Sequence, residues 1–157
     1  MLTFRKLQNG DINELKKLFK ITIQGFSWFN DQQKKEIFSP YKTDRFNKIL
    51  GHKDYICVLG FMDKKIVAFT FGYHFGGVFR LQWIGVFTEF QNKGIAKKML
   101  QKLFGYCRTK HCHKIVIEIV SLNQASMALF KSAGFTKYAT LENYFYHKEY
   151  YLFQKSL

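Results

Sequence analysis

The sequence predicts one α/β (α+β) domain spanning residues 1–157: a mixed sheet with helices on its faces. Three observations lead there. Stretches of alternating polarity, such as "LTFRKL" and "HKIVIEIV", interleave with runs of helical spacing, the order expected of a layered α/β domain. The middle of the chain reads strand, long helix, strand, a unit that makes parallel neighbours through a right-handed crossover. At 157 residues, 47% hydrophobic and 18% aromatic, the chain supplies one sizeable core and has no room for a second.

The elements follow in order. "LTFRKL" alternates and reads as a strand. Asp11 is expected to cap the next helix, with Glu14 three residues on completing a capping box. Ile12, Leu15, Leu18, Phe19 and Ile23 share one face of that helix. Residues 24–53 are less regular and rich in aromatics; they are expected to form a second helical piece and a loop. "DYICVLGF" and "KIVAFTFGYHF", separated by the turn-like "MDK", read as an antiparallel hairpin, and "VFRLQWIGVF" as another strand. A helix follows with Ile95, Met99, Leu100, Leu103, Phe104 and Cys107 at helical spacing, its wet side taken by Lys97, Lys98, Gln101 and Lys102. "HKIVIEIV" is a strand. "NQASMALFKSA" is a short helix stopped by Gly134 at C′, with Phe135 packing back beneath it. "YFYHKEYYLFQ" ends the chain as a strand. The predicted order is β-α-(α)-β-β-β-α-β-α-β-β.

The net charge is +14, from 25 basic and 11 acidic residues. The lysines are scattered from Lys6 to Lys155, without the clustered arginines of a nucleic-acid module, so nucleic acid is not the expected partner. The charge favours an anionic ligand over a polycationic one. No apolar run approaches the ~18 residues of a membrane span, and the N-terminus lacks the layout of a signal peptide, so the expected location is the cytoplasm with no membrane partner. Cys57, Cys107 and Cys112 make no even disulfide framework, in keeping with a reducing compartment. "CRTKHCH" gathers Cys107, His111, Cys112 and His113, but Cys107 fits a core face and the others sit at a turn, so no metal is expected.

One stretch carries chemistry. "FQNKGIAKKML" runs from a strand into a helix, placing successive N–H groups at a helix N-terminus, where they have no intrahelical partner and the dipole adds partial positive charge. That combination binds phosphate. Gly94 lets the backbone approach closely and Ala96 is the next-smallest residue, while Lys93, Lys97 and Lys98 can add charge-assisted contacts. The stretch matches neither a P-loop nor a dinucleotide-binding fingerprint.

From Leu81 to Phe135 the sequence resembles the GNAT superfamily of acetyl-CoA-dependent N-acetyltransferases. A strand ends in "IGV", Q-x-x-G-x-A opens a long helix, a strand reads "IEIV", an Asn lies shortly beyond, and a helix closes in "ALFKSAGF". In motif it is nearest to members that resemble the ribosomal-protein alanine N-acetyltransferases. The resemblance implies a mostly antiparallel sheet with a central splayed parallel pair. It implies acetyl-CoA as cosubstrate, with the loop Gln91, Asn92, Lys93, Gly94, Ile95 and Ala96 on its pyrophosphate. Ile84, Gly85 and Val86 would lie along the pantetheine arm, an amide near Val86 would stabilise the oxyanion, and Asn123 would contact the arm or cap its helix. Lys131 or Lys97 would hold the 3′-phosphate.

Glu118 in "IEIV" matches the base that takes the proton of the attacking amine. The tyrosine that serves as acid in those relatives is replaced by Phe130, which would touch the cofactor but donates no proton. Tyr144 in "NYF" is the substitute candidate, since a phenol with a pKa near ~10 stays protonated. Gln82 stands where some relatives place an acidic residue and cannot act as a base. The aromatics from Phe26 to Phe46, with Tyr73, His74 and Phe75, are either acceptor-pocket lining or plain core. The implied reaction is acetyl transfer to a primary amine, either a protein N-terminus or a small molecule, by direct attack in a ternary complex formed on a monomer or homodimer. The alternative is a non-catalytic acyl-CoA-binding or sensing module.

Overall fold

The computed structural model describes residues 1–42 and 44–157; the rest of this section concerns those residues. Seven strands form one sheet: β1 (Leu2–Lys6), β2 (Tyr55–Met62), β3 (Lys65–Phe75), β4 (Val78–Val86), β5 (Lys114–Val120), β6 (Thr136–Leu141) and β7 (Tyr150–Ser156). Their spatial order is β1-β2-β3-β4-β5-β7-β6. Every neighbouring pair is antiparallel except β4–β5. The helices are α1 (Ile12–Gln24), α2 (Asp31–Lys42), α3 (Arg45–Gly51), α4 (Ile95–Thr109) and α5 (Gln124–Ser132). Helices α1, α2 and α3 cover one face of the sheet, and α4 and α5 the other. This is the expected mixed sheet, parallel at its centre and clad on both sides.

Periodicity explains the cladding. The buried residues of α1 are Ile12, Leu15, Leu18, Phe19 and Ile23, and those of α4 are Ile95, Met99, Leu100, Leu103, Phe104 and Cys107, the faces that the i, i+3, i+4 spacing marks. On β2 the faces alternate. Ile56 and Val58 enter the core under α4 and α5, while Cys57 and Leu59 enter the core under α1 and α3. The β2–β3 hairpin turns on Asp63 and Lys64, both at positive φ, as a two-residue turn matched to strand twist requires. Gly134 ends α5 at φ +85°, and Phe135 donates its N–H back to the Phe130 carbonyl at 3.0 Å with its ring 5.0 Å from Phe130.

Three local expectations need correction. Asp11 does not cap α1 with its side chain. A 3-10 turn (Asn9–Asp11) precedes the helix, so Asp11 is already helical, and its carboxylate turns back to accept from the Gln8 N–H at 2.8 Å and from Arg5 at 2.6 and 2.9 Å. The Arg5 hydrogen bonds hold the Asp11 carboxyl below its usual range. Residues 24–53 hold two helices rather than one; the expected loop includes Thr43, which lies outside the described residues. Pro40 sits inside α2. Finally, the last strand begins at Tyr150, not Tyr144. Phe145–His147 is a 3-10 turn, with Asn143, Tyr146 and His147 all at positive φ, and this irregular segment links β6 to β7.

Strand β4 carries the feature that shapes the site. Phe71 of β3 faces Trp83, yet Gly72 faces Leu81, so Gln82 is an extra residue in β4, a β-bulge. Before it, Phe79 and Leu81 point into the α4–α5 core. After it, Trp83 and Phe87 pack into the α1–α3 core, and Ile84 and Val86 pack toward α4.

Candidate active site

Strands β4 and β5 are paired only where Val78, Phe79 and Arg80 face Lys114, Ile115 and Val116. Beyond Arg80 and Val116 they part, and a cavity of about 450 Å³ opens between them. It reaches through the sheet. On the α5 side it is lined by Leu81, Ile84, Ile117, Asn123, Ser126 and Phe130; on the α1–α2 side by Phe26, Trp28, Trp83, Glu118, Tyr146 and Tyr150 among others.

The wall that β4 presents to this opening is polar backbone. Phe87 donates its N–H to the Val67 carbonyl at 3.0 Å, and Val86 faces Ala68 in the same register. In an antiparallel ladder the bonding groups alternate, so the N–H and C=O groups of Ile84 and Val86 point away from β3, toward the gap. The Val86 carbonyl is met by the Gln91 side-chain amide at 2.9 Å, which fastens the following loop to the strand end. Gly85 serves packing. A Cβ there would come within 2.6 Å of the Phe69 ring, so its lack of a side chain keeps α1 and β3 close behind the wall.

The loop then turns into α4. Asn92 stands at φ +58° and Gly94 at φ +72°, and Gly94 is the N-cap residue, with no side-chain cap. Among the described residues, no protein acceptor meets the N–H groups of Asn92, Lys93, Gly94, Ile95, Ala96 or Lys97; the first paired amide is Lys98, which donates to the Gly94 carbonyl at 3.1 Å. A Cβ at Gly94 would touch nothing within 4 Å, so the space above it is open and the left-handed backbone is what asks for glycine. The Lys93 ammonium lies over the Phe90 ring, 5.4 Å from its centre.

Asn123 caps α5, its Oδ1 accepting from the Ser126 N–H at 3.0 Å, and it also lines the cavity. Phe130 is fully buried at the cavity wall. Glu118 projects from β5 into the cavity, and one of its carboxylate oxygens lies 3.3 Å from the Arg80 guanidinium. Arg80 is the last residue of the paired seam and Glu118 lies in the parted half, so this ion pair straddles the fork.

Tyr144 is elsewhere. Its ring packs on Phe145 and Tyr150, it is partly solvent-exposed, and it does not line the cavity. Tyr146 and Tyr150 do. Tyr150 shares the Glu118 face of the sheet: Val120 pairs with Tyr150 and Glu118 with Leu152. Burial pushes the Tyr150 hydroxyl up to about 12, with the nearby Tyr146, Glu118 and Tyr144 acting in the same direction. Burial, then the charge and hydrogen bond of Glu36, raise Tyr146 as well. Both hydroxyls therefore keep their protons well above neutrality. Of the aromatics offered as pocket or core, Phe26, Trp28, Phe29 and Tyr73 line the cavity, while Phe46 is fully buried in core and Phe75 is exposed at the β3–β4 turn. Sequence reasoning missed Arg80, Tyr146 and Tyr150. Only the parallel register and the late start of β7 bring them in, though the period-two spacing of Tyr150 and Leu152 hinted at one shared face.

What the arrangement can do follows from its parts. Unpaired amides at a helix mouth suit a diphosphate, a bare strand edge suits an extended amide-bearing arm, and a carboxylate beside protonated phenols suits proton transfer at the far end. Comparison with known proteins bears on family and fold. The sequence model described as the acetyltransferase (GNAT) family matches residues 22–135. Among solved structures, the PaiA N-acetyltransferase of Thermoplasma acidophilum in complex with coenzyme A superposes with a TM-score of 0.87 at 14% identity, covering 100% of this chain and 99% of that one. The ribosomal-protein-S18-alanine N-acetyltransferase of Escherichia coli gives 0.78 at 19% identity, over 99% and 94%. A spermidine N-acetyltransferase chimera, part of it from Vibrio cholerae, gives 0.80 at 18% identity, over 99% and 95%. At these identities the likeness is one of fold. No curated protein sequence matches the chain closely enough to count as a relative.

Proposed function

We propose a function on one premise: this chain belongs to the acetyltransferase (GNAT) family. It transfers an acetyl group from acetyl-CoA to a primary amine by direct attack within a ternary complex. The observation that carries this reading is the row of unpaired amides from Asn92 to Lys97, set at the mouth of a cavity that passes through the parted β4–β5 seam. The residues fit acetyl-CoA. The amides and the α4 dipole take the pyrophosphate, with Lys93 and Lys97 near it and Lys97 or Lys131 for the 3′-phosphate. The edge of β4 at Ile84 and Val86 pairs with the pantetheine arm. Asn123 and Phe130 flank it.

Chemistry then falls at the fork. The amine enters from the α1–α2 side and must lose a proton to attack. Among the described residues that line the cavity Glu118 is the one carboxylate, and it accepts that proton. As the new C–N bond forms and the C–S bond breaks, the amide at Val86 stabilises the charge on the carbonyl oxygen. The departing thiolate needs a proton, and Phe130 has none to give. Tyr150 lines the cavity and Tyr144 does not, and that position favours Tyr150 for this role.

The acceptor is a protein N-terminus or a small-molecule amine. A polyamine fits poorly, because among the described residues the charged side chains that line the cavity are Arg80 and Glu118, which are paired with each other, and Glu36 is engaged by the Tyr146 hydroxyl. The deciding experiment measures thiol release from acetyl-CoA with a panel of amines, alongside calorimetric binding of acetyl-CoA. Amine-dependent thiol release is expected. Tight binding without release from any amine would favour the sensing-module reading, which the Phe130 substitution supports.

A further inference from the structure

The aromatic residues of the α1–α2 side divide into two groups. Phe19, Phe46, Phe69 and Phe71 are fully buried and make the core. Phe26, Trp28 and Trp83 are only half-buried, and all three line the cavity. Phe26 stacks on Trp28 at 4.9 Å and 21°, and lies nearly parallel to Trp83 at 6.2 Å and 15°. Phe29 and Tyr146 meet edge to face at 5.7 Å beside them. Rings this close leave no room for another between them, but their exposed sides form an aromatic slot along the cavity wall where a guest ring can lie in offset or edge contact. This apolar slot adjoins Glu118 and Arg80, the cavity's single, self-neutralising charge pair.

We infer that the acceptor is an aromatic monoamine: one primary amine a short carbon chain away from an aromatic ring, carrying no second positive charge. The ring lies in the Phe26–Trp28–Trp83 slot and the amine reaches Glu118. Among the described residues the cavity lining offers a second ammonium no carboxylate besides Glu118, which Arg80 already pairs; Glu36 stands behind Tyr146 and is engaged by its hydroxyl. The inference rests on the acetyl-transfer reading. The shared chemistry has two sources, a free arylalkylamine or a peptide whose first residue is aromatic.

The test compares thiol release from acetyl-CoA with phenethylamine, tryptamine, a Phe-first peptide amide, an Ala-first peptide amide, butylamine and spermidine. The aromatic amines should exceed butylamine and spermidine in kcat/KM by about a hundredfold, the scale of burying one ring. Phenethylamine against the Phe-first peptide distinguishes the two sources. Trp28→Ala should raise KM for the aromatic amines about tenfold, with Trp28→Phe restoring most of it and the acetyl-CoA affinity unchanged in both. Equal or better turnover of spermidine, butylamine or the Ala-first peptide overturns the inference while leaving acetyl transfer intact. Absence of thiol release with every amine is instead the failure of the transfer reading. The slot is then judged by binding alone: phenethylamine, but not butylamine, should perturb the fluorescence of Trp28 and Trp83, and no perturbation sinks it.

Discussion

The seam between β4 and β5 has two halves, and they are built oppositely. In the first, Val78 to Arg80 pair with Lys114 to Val116, and the side chains beneath, Phe79 and Ile115, are fully buried. In the second, the strands carry similar apolar residues, Leu81, Ile84, Ile117 and Ile119, but leave their inner edges unpaired around a cavity. The difference teaches that the parting is not a failure of strand-forming sequence. Ladder bonds held within the first half are withheld in the second, so that the same backbone groups are available to another molecule. Stability should therefore reside in the closed half and function in the open one.

Substitutions can break that division, starting with the largest effect. Gly94→Glu at the mouth of the open half should abolish acetyl-CoA binding by calorimetry. The melting temperature should fall only modestly: a Cβ there meets nothing within 4 Å, and the left-handed backbone costs about 1–2 kcal/mol. Unchanged affinity would remove the basis of the open half. Glu118→Gln should lower kcat by ~10²–10⁴ with acetyl-CoA affinity retained, the size of effect a lost general base produces. In the closed half, Phe79→Ala should cost ~3–5 kcal/mol in urea unfolding. A smaller loss would mean that the closed half is not where stability lies.

Two finer tests sharpen the comparison. Tyr150→Phe should slow turnover about tenfold, the low end of what a positioned proton donor gives, whereas Tyr144→Phe should stay close to wild type. The reverse ranking would return the acid role to Tyr144. The smallest effect lies far from the seam. Asp11 has a depressed folded-state pKa, chiefly from its Arg5 hydrogen bonds. Its contribution is present above the unfolded value near ~3.9 and is lost as pH falls through the lower folded value. Asp11→Asn should remove that part of acid sensitivity, read as a flatter stability profile below pH ~4.

Much of this was legible in the sequence because periodicity is a local property. The faces of α1 and α4, the β2–β3 hairpin and the Gly134 stop all follow from residues within one or two turns of each other. The loop of unpaired amides before α4 was legible too, since a strand end, a glycine and a helix start are contiguous. The Glu118 end of the cavity was harder to read. Arg80 reaches Glu118 only through a parallel register set by a whole helix between them, and Tyr150 arrives through β7, whose start is fixed by a turn with three non-glycine residues at positive φ. Nothing local in "NYFYHKEYY" says that the chain bends there rather than continuing as a strand. The division of aromatics into slot and core was likewise invisible, because hydrophobicity is the same on both sides of it.

The extra residue at Gln82 gives β4 a change of parity. Odd-numbered side chains, Phe79 and Leu81, belong to one layer before it, and odd-numbered Trp83 and Phe87 belong to the other after it. Taking out Gln82 itself would leave both layers in place: Leu81 and Trp83 would follow one another opposite Gly72 and Phe71, on opposite faces, as in a regular strand. What would go is the local bend and added twist that a bulge gives its strand, just where β4 leaves β5. A chain without Gln82 should therefore keep its core while the two strands beyond Arg80 part less widely.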